Sequence, residues 1–429
     1  MADSVHNTLH QKRPHAIFIA YPLQGHVIPS VHLAIKLASR GFKITFINTH
    51  SIHHQTSKAQ PDSGSDPFAY VRESSGLDID YTTVSDGLPI EFDRSLNHDQ
   101  FMASLLHVFS AHAEEVVGKV VKSSADTTPV TCIIADTFFV WPSKIAKKFG
   151  LLYVSFWTEP ALVFTLYYHL DLLRKNGHFA CQDVREDTID YVPGVRAIEP
   201  KDMMSFLQET DTTSVCHHII FNAFKDARDC TQWLNTRPQG SVLYVSFGSY
   251  AHVSKKDLIE IANGLHLSKV NFVWVLRPDI VSSNDTEPLP AGFREQVKDR
   301  AIVIPWCSQK AVLTHPAIGG FLTHCGWNST LESIWCSVPM LCFPLLTDQF
   351  TNRKLVVDDW KIGINLCDRR AVSKEEVSEK INRLMDGKSR DEYRKAVVQV
   401  KKTLEDALTP NGSSEKNMDS FINALKAKM

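Results

Sequence analysis

A chain of 429 residues is longer than one ordinary domain and has length for two, each with a core of its own. Its 43% hydrophobic and 22% charged residues are those of a folded globular protein, not of a disordered or membrane-embedded one. Forty-six basic and 48 acidic residues leave a formal charge of -2 with no long block of either sign, which argues against nucleic-acid and anionic-membrane partners and favours small ligands.

The opening "MADSVHNTLHQKRPH" lacks the apolar stretch of a signal peptide, and no run reaches the ~18 apolar residues of a membrane span. Nine cysteines without a C-x-x-C pair fit reduced thiols, so a cytoplasmic protein is expected, and Cys325 reads as a small buried filler. Strand-like runs then alternate with helical patterns. The first series is "HAIFIAY" before a helix over 26–39, "KITFINT", "TCIIAD" before 142–149, and "LLYVSF" before 159–175. In the first helix Val27, Val31, Ala34, Ile35 and Ala38 define the buried face, and Gly41 stands where a C-terminal cap belongs. The second series is "SVLYVSF" before 254–267, "NFVWVLR", "AIVIPW" before 308–314, "GGFLTH" before 329–336, and "PMLCFP" before 348–360. This alternation predicts α/β architecture with two doubly wound parallel sheets. Surface loops are expected at 56–67, 182–190 and 281–290, and the join between the series within 225–241.

Chemistry collects where strands of the second series end. In "FLTHCGWNSTLES", Asn328 or Ser329 is placed to cap the following helix, and Ser329 with Glu332 has capping-box spacing. A helix that opens directly after a parallel strand points free N–H groups at the crevice beside the sheet, which suits a diphosphate. His324 adds a donor that can be charged; a capped helix with a satisfied histidine is the plainer alternative. Trp306 and Gln309 follow another strand, and Asp348 with Gln349 a third. An aromatic plate, a helix end and a carboxylate–carboxamide pair suit an aromatic base, a diphosphate and a sugar.

The stretch from Trp306 to Gln349, with its core "HCGWNS", a following Glu and a closing "DQ", resembles the signature box of plant family-1 UDP-glycosyltransferases. Similarity extends to "GHVIPS", "SDGLP", "ADTFFVWPSKIA" and "CTQWLNTRPQGSVLYVSFGS", and so covers most of the chain. The resemblance implies a GT-B fold of two facing Rossmann-like domains. It places an acceptor domain at 1–228, a short linker at 229–240 and a UDP-sugar domain at 241–429, the last helix packing back on the first domain. It implies that Trp306 stacks on uracil, that Gln309 and Glu332 bond the ribose, and that His324, Asn328 and Ser329 hold the phosphates. Asp348 and Gln349 would read the sugar, with Cys307 and Trp327 completing the donor set. Ser249 matches a further phosphate contact, against plain turn chemistry, and for Glu332 a capping role needs no ligand. Gln349 in place of His resembles the glucose-preferring members.

An acceptor hydroxyl needs a base, and an imidazole suits the task. His26, in "AYPLQGHVIPS", is the candidate through the "GH..P" match, with Gln24 and Gly25 beside it for the acceptor. Asp136 ends "TCIIAD" and is matched to the family carboxylate that pairs with that histidine. His32 points to another face of the same helix, so the two histidines form no metal site. The segment 155–170, with Phe156, Trp157, Thr158, Phe164, Tyr167 and Tyr168, resembles the acceptor-pocket stretch; an aromatic stripe of that kind also reads as core. Inverting hexosyl transfer from UDP-glucose or a related UDP-sugar to a small lipophilic acceptor follows, by a monomer with neither metal nor cofactor. Two departures stand against it. Several dozen family residues are missing where Arg228 runs through Asp229 into Cys230, and Ser308 replaces the usual Pro. A non-catalytic UDP-sugar-binding relative is the alternative reading.

Overall fold

The computed structural model describes residues 13–59, 66–94, 97–181, 185–208, 230–249, 251–281, 288–367 and 371–428. They fall into two compact units. One holds the described residues up to Phe92, Phe101–Thr158 and those from Asn417 onward; the other holds Asp93–Gln100 and Glu159–Lys416. The domain boundary expected at 228 and the junction at Arg228 and Asp229 lie outside the described residues.

In the first unit, β1 (His15–Ile19), β2 (Lys43–Thr49), β3 (Ile79–Val84), β4 (Cys132–Asp136) and β5 (Leu152–Phe156) form one parallel sheet in the order β3-β2-β1-β4-β5. β1 and β4 are buried along their whole length, which is why they read as unbroken apolar runs. The helix Gln24–Ser39 buries Ser30, Ala34, Leu37 and Ala38, while Val27, Val31 and Ile35 pack half-buried against the same core. Gly41 follows with a φ of 90°, where a side chain would be strained. Ile422 and Leu425 from the C-terminal helix Ser413–Ala427 enter this core beside Ala16 and Phe18.

In the second unit, β6 (Val242–Ser246), β7 (Asn271–Val275), β8 (Ala301–Ile304), β9 (Ile318–Thr323), β10 (Met340–Cys342) and β11 (Gly363–Asn365) form a second parallel sheet. Its order is β11-β10-β9-β6-β7-β8. Alternation sends Leu243 and Val245 to one apolar layer and Val242 and Tyr244 to the other, so both faces are covered. Winding direction reverses between β1 and β4 in the first sheet and between β6 and β9 in the second. Those are the crevices where ligands of doubly wound sheets bind.

Several expectations need correction. β3 and β11 were not anticipated. The expected 159–175 helix is two helices, Ala161–Tyr168 and Leu170–Lys175, and the one over 348–360 passes from an α-helix, Gln349–Lys354, into a π-turn, Leu355–Asp359. The helix His50–Ala59 takes in the start of the loop expected over 56–67, whose residues 60–65 lie outside the described ones. Among the described residues no helix is long and apolar enough to cross a membrane.

Candidate functional site

After β1 the chain turns sharply, with the Leu23 amide on the Tyr21 carbonyl at 2.7 Å, and His26 falls in the first turn of the helix that follows, beside Gln24 and Gly25. A Cβ on Gly25 would meet nothing within 4 Å outside its own helix backbone and chain neighbours. Asp136 closes β4 on the other side of the switch point and is 1% exposed. One of its carboxylate oxygens lies 2.8 Å from His26 Nδ1, and the other accepts the Phe138 amide at 2.9 Å. Thr158 Oγ1 is also 2.9 Å from Nδ1. A carboxylate at Nδ1 fixes the proton on that nitrogen and leaves Nε2 as the basic one. Tyr21 and Phe138 flank the ring with centroids at 5.3 and 4.7 Å, and Trp157 meets Phe138 edge-on. Phe138, exposed against the His26 ring, is an apolar contact that the sequence reading did not single out. The signal was Phe138 two residues past Asp136, at the same strand end.

In the second unit the corner after β9 is built on Cys325, whose φ of 66° lets the chain reverse at once. The Cys325 amide is held by Thr323 Oγ1 at 3.2 Å. The helix therefore spans Trp327–Trp335 with Gly326 at its N-cap and no side-chain cap. This corrects the capping-box reading: Asn328 and Ser329 lie inside the first turn. Gln309 Nε2 instead donates to Ser329 Oγ at 3.0 Å and to Glu332 Oε2 at 2.7 Å, while Tyr244 donates to Gln309 Oε1 at 3.4 Å. Three residues taken from two helices thus form one polar group next to the helix end.

His324 is buried between two glycines. A Cβ on Gly248 would come within 2.4 Å of Nε2, and one on Gly326 within 2.5 Å, so only glycines let the ring lie against these backbones. Nδ1 is buried and has no partner among the described residues. Burial, and then the Arg277 charge, pushes its pKa down to about 3. The expected chargeable donor is therefore a neutral one. Because the folded pKa is depressed below the usual 6.5, the unfolded chain binds the extra proton between pH ~6.5 and ~3, and stability falls as pH drops through that window. His324→Gln should remove this contribution and flatten that part of the melting temperature–pH profile; an unchanged slope would show that the imidazole is not the group titrating.

Arg277, 1% exposed at the end of β7, donates to the carbonyls of Gly248 and, at 2.8 Å, Ala251, and pairs with Asp279 at 3.2 Å. It thereby fixes the turn that carries Ser249. Sequence reasoning missed it, because a lone Arg after "NFVWVL" does not reveal that its partners are backbone carbonyls. Trp306 is half-buried against the core beyond β8. The Cys307 thiol lies 3.6 Å from the Tyr244 hydroxyl, in the core. The Trp327 ring packs against Trp360 at 6.4 Å.

Past β10, Asp348 and Gln349 open a helix. Asp348 accepts from Thr347 Oγ1 at 2.9 Å and from Asn352 Nδ2 at 2.7 Å. Gln349 Oε1 accepts from the Leu345 and Leu346 amides at 3.0 and 3.1 Å, which leaves its amide nitrogen as the group for a ligand. Of the aromatic stripe in this unit, Phe164 and Tyr168 are exposed, and burial together with Glu159 and Asp348 pushes the Tyr167 hydroxyl up. Along the sheet, Asp348 and Gln349 follow β10, His324 follows β9, Ser249 follows β6 and Trp306 follows β8. Among the described residues no group of three or more His, Cys, Asp or Glu is arranged to hold a metal.

Residues 101–407 match the family described as UDP-glucoronosyl and UDP-glucosyl transferase. The chain is similar to UDP-glycosyltransferases 86A1 and 86A2 of Arabidopsis thaliana, at 54% and 57% identity, over 97% of this chain and 96% and 95% of theirs. The first of these alignments runs over 470 positions, more than the 429 residues here, so that relative carries residues this chain lacks. Among solved structures, a UDP-glucose:anthocyanidin 3-O-glucosyltransferase in complex with UDP has the same fold, with a TM-score of 0.78 at 22% identity over 97% of this chain and 100% of that one.

Proposed function

The chain belongs to the plant family-1 UDP-glycosyltransferases, enzymes of GT-B fold that transfer a sugar from a UDP-sugar, and from that premise we propose that it moves a hexose, glucose first, with inversion to a hydroxyl or carboxyl group of a small lipophilic acceptor. The observation that carries the reading is the Asp136 carboxylate on His26 Nδ1, which leaves Nε2 free to act as a base. Nε2 takes the acceptor proton, and the acceptor oxygen forms its bond to the anomeric carbon as the bond to UDP breaks. UDP leaves with the electron pair, and Asp136 stabilises the imidazolium. Thr158 also holds the ring, and Gln24, Gly25, Phe138 and Trp157 offer the acceptor an open, apolar approach.

The leaving diphosphate is met by the N-terminus of the Trp327–Trp335 helix, by neutral His324 and by Asn328 and Ser249, donors fixed before the reaction begins. Trp306 stacks on uracil, the backbone of Cys307 and of Trp327 lies along the donor, and Asp348 and the Gln349 amide read the sugar. The scheme needs no metal. A cytoplasmic monomer suits it.

The Gln309–Ser329–Glu332 group supports ribose recognition, with Glu332 accepting from a ribose hydroxyl. Glu332→Gln should therefore lose preference for UDP over 2′-deoxy-UDP by about tenfold, read as two dissociation constants. Equal weakening of both ligands would leave Glu332 with a structural role only.

The function is tested by mass-spectrometric detection of hexose transfer from UDP-glucose to a pooled panel of flavonoids, phenols, terpenoid alcohols and hormone-like acids, with His26→Ala alongside. Glycoside that vanishes in the variant supports the reading. UDP binding without glycoside is the outcome expected of a non-catalytic relative, a reading favoured by the residues that the relative carries and this chain lacks.

A further inference from the structure

The loop that carries Asp348 is held from outside the donor box. Pro200–Asp202 forms a single 3-10 turn and Ser205 opens the next short helix, both within the same unit as β10. Buried Asp202 makes an ion pair with buried Arg353, and its carbonyl accepts from Thr351 Oγ1 at 2.8 Å. Ser205 clasps Thr347 on both sides: its hydroxyl accepts the Thr347 amide at 3.1 Å and its own amide donates to the Thr347 carbonyl at 3.4 Å. Thr347 has a φ of 54°, a conformation that a β-branched residue adopts only when its surroundings impose it. That conformation sets the Thr347 hydroxyl on Asp348, whose other oxygen is tied by Asn352.

We infer that Ser205 and Asp202 are positioning residues for the donor sugar, fixing through Thr347 and the Gln349–Lys354 helix the direction in which Asp348 presents its carboxylate. The inference rests on the reading that Asp348 and Gln349 contact the sugar. Neither Ser205 nor Asp202 needs to touch it. Without the clasp Thr347 relaxes from its left-handed conformation, and the carboxylate turns away from the hydroxyls it discriminates, while the uracil and phosphate contacts, which come from β6, β8 and β9, stay in place. Sugar choice thus depends on a segment whose Ser205 lies 142 residues before Thr347, at a distance no local motif shows.

The test compares Ser205→Ala, Ser205→Thr and Asp202→Asn with the parent enzyme. Three quantities are read: KM for UDP-glucose, the UDP-glucose to UDP-galactose ratio of kcat/KM, and the dissociation constant of UDP, which has no sugar. Ser205→Ala should raise KM for UDP-glucose about tenfold and shrink the ratio by a similar factor, with UDP affinity kept within about twofold. Ser205→Thr, which keeps the accepting oxygen, should restore both, and Asp202→Asn should follow Ser205→Ala. Unchanged KM and ratio in Ser205→Ala, or an equal loss of UDP affinity, overturns the inference. Asp348→Ala separates the two levels. If it moves the ratio while Ser205→Ala does not, only the clasp is wrong; if it does not move the ratio, the sugar-reading assignment fails and the inference with it.

Discussion

His26→Ala should lower kcat for hexose transfer by about 10²–10⁴-fold while UDP binds as before, because a positioned base contributes on that order and the imidazole belongs to a different unit from the donor residues. Asp136→Asn should cost kcat by a comparable order. An amide in place of the carboxylate 2.8 Å from Nδ1 no longer fixes the proton there nor offsets the imidazolium, although the volume is conserved. The comparison is informative because the pair acts as one group: the double variant should be little worse than either single one. Single-turnover rates with a saturating acceptor measure this directly. Additive losses would mean that Asp136 works apart from His26, and a His26→Ala enzyme of full activity would remove the base from the scheme.

The second large effect is expected at a glycine. In Gly248→Ala the new Cβ lies 2.4 Å from His324 Nε2, and the backbone there has a φ of 74°. Arg277 also donates to the Gly248 carbonyl, which restrains the turn. Overpacking and left-handed strain each cost on the order of 1–3 kcal/mol. The His324 ring is the movable partner, and displacing it takes a donor out of the diphosphate cradle. UDP affinity should fall by about 10²-fold, measured by calorimetry, with the acceptor-side residues unaffected. Unaltered UDP affinity would show that the diphosphate does not depend on this contact.

Both sheets were legible because buried parallel strands read as apolar runs, as "HAIFI" and "VLYVS" do. β3 was not, since "IDYTTV" is a half-exposed edge strand with polar residues, and β11 is three residues long. The pairing of His26 with Asp136 came from the family match, and the fold supplies its reason: His26 opens the helix that follows β1 and Asp136 ends β4, the two strands flanking the switch point. The capping-box spacing of Ser329 and Glu332 misled because the start of that helix is set by the left-handed turn at Cys325, and a cysteine gives no hint of such a turn. Arg277, Asp202 and Ser205 were invisible for a shared reason. Their partners include backbone groups far along the chain, and such contacts leave no period or spacing in the sequence.

The central claim, inverting transfer by His26 from a UDP-sugar, is tested most directly by the anomeric configuration of the first product made from UDP-glucose, read from its proton NMR spectrum. A β-glycoside, formed by the parent enzyme and absent with His26→Ala, is the predicted result. An α-glycoside, or glycoside formed equally well without the imidazole, would contradict the account.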